Sequence, residues 1–187
     1  PVLRARLSAM QEKFRFDPSG HAGKSLTHVI AALPHDLLVA FDAPSLERVA
    51  LTAMSLADRP RPKLVTVESQ LGRHVFAFVW LPRDELSTVR RAQIADMLVD
   101  ASNARILSWT IALEDSGLAL IRYVLDIREG GVAPDGEALD QRLEEMLRGW
   151  EPAIEACLAE HADAGRAARL GMRYSGEFPI FYRTRYS

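Results

Sequence analysis

The residues of this chain with the clearest chemical potential form a glycine-rich stretch at positions 18–25, P-S-G-H-A-G-K-S. It departs from the phosphate-binding pattern G-x-x-x-x-G-K-[ST] only at the first position, where Pro18 stands. Such a loop works by pointing backbone N–H groups at phosphate, and proline has no N–H and one fixed φ. Two interpretations stay open: a small nucleotide-dependent enzyme that uses Gly23, Lys24 and Ser25, or a glycine turn that leads into a helix.

Histidines recur every seven residues, at His21, His28 and His35. A metal site would need them to converge, but Pro34 breaks the helical register and no cysteine or carboxylate completes a ligand set. No serine lies in a G-x-S-x-G elbow, and no G-x-G-x-x-G motif is present. The sequence therefore predicts no catalytic, cofactor-binding or metal residues on this chain.

One loop has the residue types of an anion or effector site, at positions 82–88, between an apolar strand and an amphipathic helix. Amides at the start of that helix, together with Arg83, Ser87 and Thr88, are suited to hold a carboxylate or a phosphate. The alternative is that Ser87 only caps the helix and Arg83 is a surface charge.

The composition is that of an ordinary globular protein, with 48% apolar and 26% charged residues among 187 and a net charge of −2. This charge gives no attraction to nucleic acid, and no apolar run approaches the roughly 18 residues that a membrane span needs. A single cysteine, Cys157, excludes an internal disulfide and favours a cytoplasmic location. The aromatic and basic residues 178–186 are interpreted as a linker that docks on a neighbouring domain. A first residue other than methionine permits the interpretation that the chain is a piece of a longer protein.

The first third of the chain is predicted to be largely helical. A short helix is expected in residues 1–12, and apolar spacing predicts another from 24 to 33, which Pro34 ends. The apolar run L-L-V-A-F within residues 36–42 is interpreted as a buried strand, and Pro44 opens a further helix.

The organising core of the chain is predicted at residues 61–127. Alternation at 63–68 indicates a half-buried strand, and residues 75–81 are apolar on both faces, as in a central strand. Ser87 is expected to cap an amphipathic helix, and residues 106–113 pair with 118–127 around an E-D-S-G turn.

These elements predict an α+β fold of the ferredoxin-like kind, in the order βαββαβ with one further antiparallel strand and with helices on one face of the sheet. The predicted division is a helical lead-in at 1–33, a sheet domain at 34–130 and a C-terminal helical segment with a linker at 131–187. Pro152 is expected to kink or split the exit helix.

Several stretches of this chain, in their order and spacing, resemble the N-terminal, non-catalytic region of the large bacterial NAD-specific glutamate dehydrogenases. They are L-P-H-D-L-L at 33–38, R-P-R-P-K-L at 59–64, Gly72-Arg73, L-P-R-D-E-L-S-T at 81–88, the 106–123 hairpin, Trp150, Tyr174 and F-P at 178–179.

The resemblance implies an ACT-like domain, which is a ferredoxin-like fold associated with amino-acid sensing and subunit contacts. It implies a parent enzyme that oxidises L-glutamate to 2-oxoglutarate and ammonia with NAD, while no catalytic residue carries over to this segment. The expected partners are other domains and subunits of the parent and a small amino-acid effector, without nucleic acid or membrane. Our first hypothesis is a regulatory or assembly segment, and the alternative is a stand-alone amino-acid-binding or oligomerisation domain.

Overall fold

The computed structural model describes residues 2–148, in which four helices precede a sheet and two further helices pack against it. The helices are α1 Val2–Phe14, α2 His21–Ala32, α3 His35–Ala40, α4 Ala43–Asp58, α5 Thr88–Ser102 and α6 Gly136–Arg148; the strands are β1 Lys63–Glu68, β2 His74–Pro82, β3 Arg105–Leu113 and β4 Leu118–Asp126. A 3-10 turn, Arg83–Glu85, joins β2 to α5. None of the helices in this range has the length and hydropathy to span a membrane.

The four strands form one antiparallel sheet in the order β1-β2-β4-β3. The strand β2 pairs with β1 on one side and with β4 on the other, which confirms the prediction of a central strand. Its residues are apolar on both faces because both faces of a central strand can be covered.

The order of elements in the sheet region is ββαββα. Moving β4 and α6 to the front of this order gives βαββαβ, so the fold is a circularly permuted ferredoxin-like arrangement. The α+β, ferredoxin-like fold class is confirmed, whereas the predicted order of elements, with a fifth strand, is wrong for the described residues.

The strand predicted at residues 36–42 is a helix in the structure, α3. Pro34 stands at its N-cap, and the buried residues Leu37, Leu38 and Phe41 follow a helical spacing. A short apolar run carries no periodicity that separates a buried strand from a buried helix, and this is the reason for the error.

Helices cover both faces of the sheet, contrary to the prediction of one covered face. The helices α1–α4, here called the lead-in, cover one face, and α5 with α6 cover the other. On the lead-in face the buried sheet residues are Val65, Val67, Phe78, Trp80, Leu118 and Leu120; on the α5–α6 face they are Leu64, Val75, Ala77, Val79, Leu81, Ile121, Tyr123 and Leu125. A strand that is apolar on both sides requires cover on both sides.

Side-chain caps define two of the helix starts. Asp42 accepts a hydrogen bond from the Ser45 amide at 2.9 Å, and the helix begins at Ala43, one residue before the predicted start at Pro44. Ser87 accepts one from the Arg90 amide at 3.0 Å, which confirms the predicted cap of α5. These bonds satisfy amides that the first helical turn leaves without partners.

The last described helix, α6, is fixed to the first strand. Asp140 accepts a hydrogen bond from Lys63 Nζ at 2.5 Å and another from the Leu64 amide at 2.7 Å. The helix confirms, for residues 136–148, that the C-terminal segment is helical. The expected kink at Pro152, the remaining exit helix and residues 178–186 lie outside the described residues.

Candidate functional site

The P-S-G-H-A-G-K-S stretch forms the turn between α1 and α2 and the first residues of α2. A Cβ added at Gly23 would lie 2.1 Å from the Asp17 carbonyl oxygen. Only glycine therefore allows the backbone of α2 to pack this closely against the backbone of the turn. Lys24 and Ser25 lie inside the helix, and a helix, rather than a strand, comes before the turn. The strand-loop-helix context of a phosphate-binding loop is absent here, so the nucleotide hypothesis is wrong.

The histidines form no metal site in the part of the chain that the structure describes. His21 and His28 are exposed along α2, and residues 2–148 contain no group of three or more ligating side chains. His28 lines a cavity between α2 and the sheet.

The three residues predicted to bind an effector have separate roles within the fold. The Arg83 guanidinium donates to the Glu114 carbonyl, and the Arg83 amide donates to the Gly117 carbonyl at 3.3 Å. Ser87 Oγ is used by the helix cap, and Thr88 is exposed at the first position of α5. Arg83 thereby fixes the β3–β4 turn, residues 114–117, and the effector site itself stays a prediction.

The turn that Arg83 holds closes one end of a cavity of about 360 Å³ between the lead-in and the sheet. The volume lies at the lower end of the range of roughly 300–1,000 Å³ found for small-molecule sites. The lining residues are His28, Val29, Ala32 and Leu33 of α2, Val49, Ala53 and Ala57 of α4, Phe78 and Trp80 of β2, Ala112 and Leu113 of β3, Glu114, Asp115 and Ser116 of the turn, and Leu120 and Arg122 of β4.

The polar atoms of the cavity gather where the turn meets the central strand. Trp80 Nε1 donates a hydrogen bond to Glu114 Oε1 at 3.2 Å. Ser116 Oγ is buried and has no hydrogen-bond partner among the described residues. A buried hydroxyl without a partner is unusual in a folded protein.

The electrostatics of the cavity centre on Glu114. Burial raises the pKa of the Glu114 carboxyl, and the hydrogen bond from Trp80 and the charge of His28 act in the opposite direction. Arg122 lines the cavity as well, and its Nε donates to Thr110 Oγ1 at 3.1 Å. A half-buried carboxylate can accept hydrogen bonds in addition to the one from Trp80.

Sequence reasoning identified Glu114 and Ser116 only as residues of a hairpin turn. Their role depends on the contact of that turn with Trp80 and with α2, which are distant in sequence. The one local signal is Trp80, in a strand where only His74 has another hydrogen-bonding side chain, since a buried indole N–H usually has an acceptor nearby.

The α5–α6 face contains buried polar groups too, and those of Arg90 and Tyr123, except Arg90 Nε, which has no partner among the described residues, make hydrogen bonds between packed elements. Arg90 is 4% exposed, and its Nη1 donates to the Met146 carbonyl at 3.0 Å. The Tyr123 hydroxyl donates to the Arg91 carbonyl at 2.9 Å, and burial raises the pKa of Tyr123 to about 12. These bonds join α5 to α6 and to the sheet.

The strand β3 exposes a row of large apolar residues along an edge of the sheet. Leu107 and Trp109 are each 45% exposed, Ile111 is 40% exposed and Leu113 is 61% exposed. Within the described residues β3 pairs only with β4, so its outer backbone groups are open. The Arg91 guanidinium carbon lies 4.4 Å from the centre of the Trp109 ring, an attractive cation–π geometry.

A permuted ferredoxin-like sheet with covered faces and one open apolar edge defines an ACT-like domain preceded by a helical unit. Comparison with family models agrees: residues 63–151 match the glutamate dehydrogenase ACT2 domain, and residues 1–59 match glutamate dehydrogenase helical motif 1. The matched ACT2 range begins at the first residue of β1. The predicted boundary between lead-in and sheet domain was 33/34, and this comparison divides the chain near residue 60.

Full-length relatives point to the same family. The chain is 29% identical to an NAD-specific glutamate dehydrogenase of Halomonas elongata and 22% identical to that of Pseudomonas aeruginosa, each over 100% of this chain. It is 26% identical to the NAD-specific glutamate dehydrogenase of Mycobacterium tuberculosis over 98% of this chain. It spans 12% of the length of each of these relatives. The chain belongs to the glutamate dehydrogenase family, of which it forms the helical motif 1 and ACT2 domain segment.

Proposed function

We propose that this chain is a non-catalytic regulatory segment of a longer enzyme that, like its relatives, is an NAD-specific glutamate dehydrogenase. That enzyme would convert L-glutamate and NAD to 2-oxoglutarate, ammonia and NADH, with NAD and the reacting groups held outside this segment. The observation that supports a regulatory role is the cavity, because its walls come from the lead-in and from the sheet together.

A ligand in this cavity would touch both units at once. It would stabilise the arrangement in which α2 and α4 lie against β2 and β4, and an arrangement without that contact would lose the ligand's binding free energy. The ligand would therefore set the relative position of the two units, and through them the position of whatever domains they contact in the parent enzyme.

The test is to fill the cavity in the full-length enzyme. Ala53→Leu adds volume in the wall of the cavity, and Ala92→Leu makes the same change on the exposed side of α5. We expect Ala53→Leu to change kcat or KM for glutamate about fivefold, the lower end of usual allosteric coupling, and Ala92→Leu to leave both unchanged. Equal, wild-type kinetics for both variants would contradict the regulatory proposal. So would glutamate-dependent NADH formation by residues 1–187 alone.

The exposed edge of β3 favours a second role, in assembly. A long open strand with apolar side chains is suited to pair with a strand of another domain or subunit of the parent. We expect Ile111→Lys to shift the enzyme toward smaller assemblies in analytical ultracentrifugation. Leu71→Lys, at a residue that is 76% exposed away from β3, is the matched control. The same sedimentation for all three proteins would rule out this edge as an interface.

A further inference from the structure

The helices of the α5–α6 face stop one strand short of the edge of the sheet. Trp109 and Ile111 of β3 lie opposite Tyr123 and Ile121 of β4 in the sheet register, so all four side chains point to this face. Tyr123 and Ile121 are fully buried, whereas Trp109 and Ile111 are 45% and 40% exposed. Of the residues in β3, only Ile106 packs against the core of this face. Among residues 2–148, therefore, no helix covers the outer part of β3.

We propose that residues 153–170 of this chain form a third helix on this face, which lies along β3 next to α5 and covers Trp109 and Ile111. The outer backbone groups of β3 stay open in this arrangement, because the helix covers a face of the strand and not its edge. The inference goes beyond the proposed regulatory function, and it depends neither on the cavity nor on a ligand.

The place where α6 ends directs the chain toward β3. The Met146 carbonyl, in the last turn of α6, accepts the bond from Arg90, in the first turn of α5. The next residue, Arg91, points toward β3, and its guanidinium lies over the Trp109 ring. A helix is about 10–12 Å across, and four residues reach as far as about 13 Å, so residues 149–152 suffice to pass the start of α5. The chain then runs along β3 in the same direction as α5.

The sequence of residues 153–170, A-I-E-A-C-L-A-E-H-A-D-A-G-R-A-A-R-L, predicts a helix with one apolar side. Pro152 is suited to the first helical turn, and alanine, the best helix former, is the commonest residue of the segment. Ile154, Cys157 and Leu158 recur at i, i+3 and i+4, the spacing of an apolar stripe. A helix of this length measures about 27 Å, which matches the roughly 30 Å of β3.

The two helices would meet along flanks of small residues with one charge each. The flank of α5 beside β3 contains Arg91 and, one turn further on, the half-buried Ala95. In the parallel arrangement, the flank of the proposed helix toward α5 contains Glu160, Ala164 and Ala167, at i, i+4 and i+7. Small residues let two helices approach closely, and Glu160 carries the charge that attracts Arg91. The flanks therefore complement each other in size and in charge.

A single cysteine makes this contact testable by cross-linking. Cys157 is the only cysteine of the chain, and it lies about 7 Å from Pro152 along a helix. Ile111 has a similar height, two residues or about 7 Å before the end of β3, which is level with the end of β2 and the start of α5. The variant Ile111→Cys therefore brings two thiols within disulfide distance, and the control Thr110→Cys places the second thiol on the opposite face of the same strand. Both variants of the 187-residue chain are oxidised with copper phenanthroline at two protein concentrations, and the disulfides are mapped by mass spectrometry.

We expect Ile111→Cys to form a disulfide with Cys157 within one chain, at least about tenfold faster than Thr110→Cys does and at a rate that does not depend on protein concentration. Equal rates for the two variants, or no disulfide in either, would overturn the proposal. A disulfide that joins two chains and slows on dilution would overturn it as well, because a second copy would then cover this face.

Alkylation of Cys157 is a second measurement, and it needs no new cysteine. A thiol packed against β3 reacts slowly with iodoacetamide, so we expect Ile111→Lys to raise the rate at least about tenfold and Thr110→Lys to leave it unchanged. A wild-type rate equal to that of the chain unfolded in urea would contradict the contact. Both measurements concern residues 153–170 only, whereas the proposed functions fail on the kinetics of Ala53→Leu and on the sedimentation of the full-length enzyme.

Discussion

The two faces of the sheet are built from similar apolar strands but are covered in different ways. On the α5–α6 face, the Tyr123 hydroxyl and the Arg90 guanidinium bond to main-chain carbonyls of the covering helices, and only Arg90 Nε is buried without a partner among the described residues. On the lead-in face, α2 and α4 leave a cavity whose polar end contains Ser116 Oγ without a partner among the described residues. The first face holds the sheet domain together, and the second retains space that a ligand can occupy.

The difference shows that packing and ligand binding place opposite demands on an apolar surface. Close packing gives a face its stability, since each lost contact and each void costs free energy. A cavity forgoes part of that stability, and it persists because the other face and the strand pairings maintain the fold. Substitutions that change the volume on each face therefore measure the contrast directly.

The largest expected effect is a difference in the free energy of unfolding between two variants, each with one alanine replaced by leucine on one face of the sheet. Ala77→Leu inserts a larger side chain against α5 and α6, where Ala77 is fully buried, and we expect it to lower the free energy of unfolding by about 2 kcal/mol. Ala53→Leu extends into the cavity, and we expect a change of less than about 0.5 kcal/mol, because the added methyl groups fill existing space. Urea denaturation of both variants checks this. A loss of the same size at both positions would remove the distinction between the faces.

A smaller effect is expected from pH at Glu114. Its pKa is raised in the folded state, so the folded chain holds this proton more tightly than the unfolded chain. The resulting penalty is absent below the unfolded-state pKa, and it grows as the pH rises through the folded-state pKa. Glu114→Gln removes the penalty. Its melting temperature relative to wild type is therefore expected to be higher at about pH 7.5 than at about pH 4, by an amount equivalent to less than about 1 kcal/mol.

The other charged groups that face this cavity are His28 from α2, Asp115 from the turn and Arg122 from β4. Because the charge of His28 acts on the Glu114 carboxyl, the comparison is repeated in a His28→Asn background. A relative melting temperature that does not change with pH in either background would show that Glu114 is solvated rather than buried.

The elements whose residues alternate or repeat clearly were predictable from the sequence. Both hairpin strands, the central strand and the cap at Ser87 follow from local patterns and local hydrogen bonds. The short run around Leu37 and Leu38 was misassigned because six residues carry too little periodicity. The cover on the lead-in face was missed for the same reason, since a strand at 36–42 would have placed this segment in the sheet.

The candidate site was less predictable than the fold. Arg83 was predicted to belong to an effector site because it lies near a helix start. In the structure its guanidinium donates a hydrogen bond to the Glu114 carbonyl, 31 positions away in the sequence. The cavity itself is made by helices from one third of the chain and strands from another. Only tertiary contacts bring Glu114, Trp80 and His28 together, and no spacing rule connects them.

Asp140 accepts hydrogen bonds from Lys63 Nζ and from the Leu64 amide, so α6 lies beside the beginning of β1. The first strand of the sheet unit and its last described helix are thereby bonded to each other. A module whose first and last elements lie together can be inserted into a longer polypeptide with little displacement of the regions on either side of it.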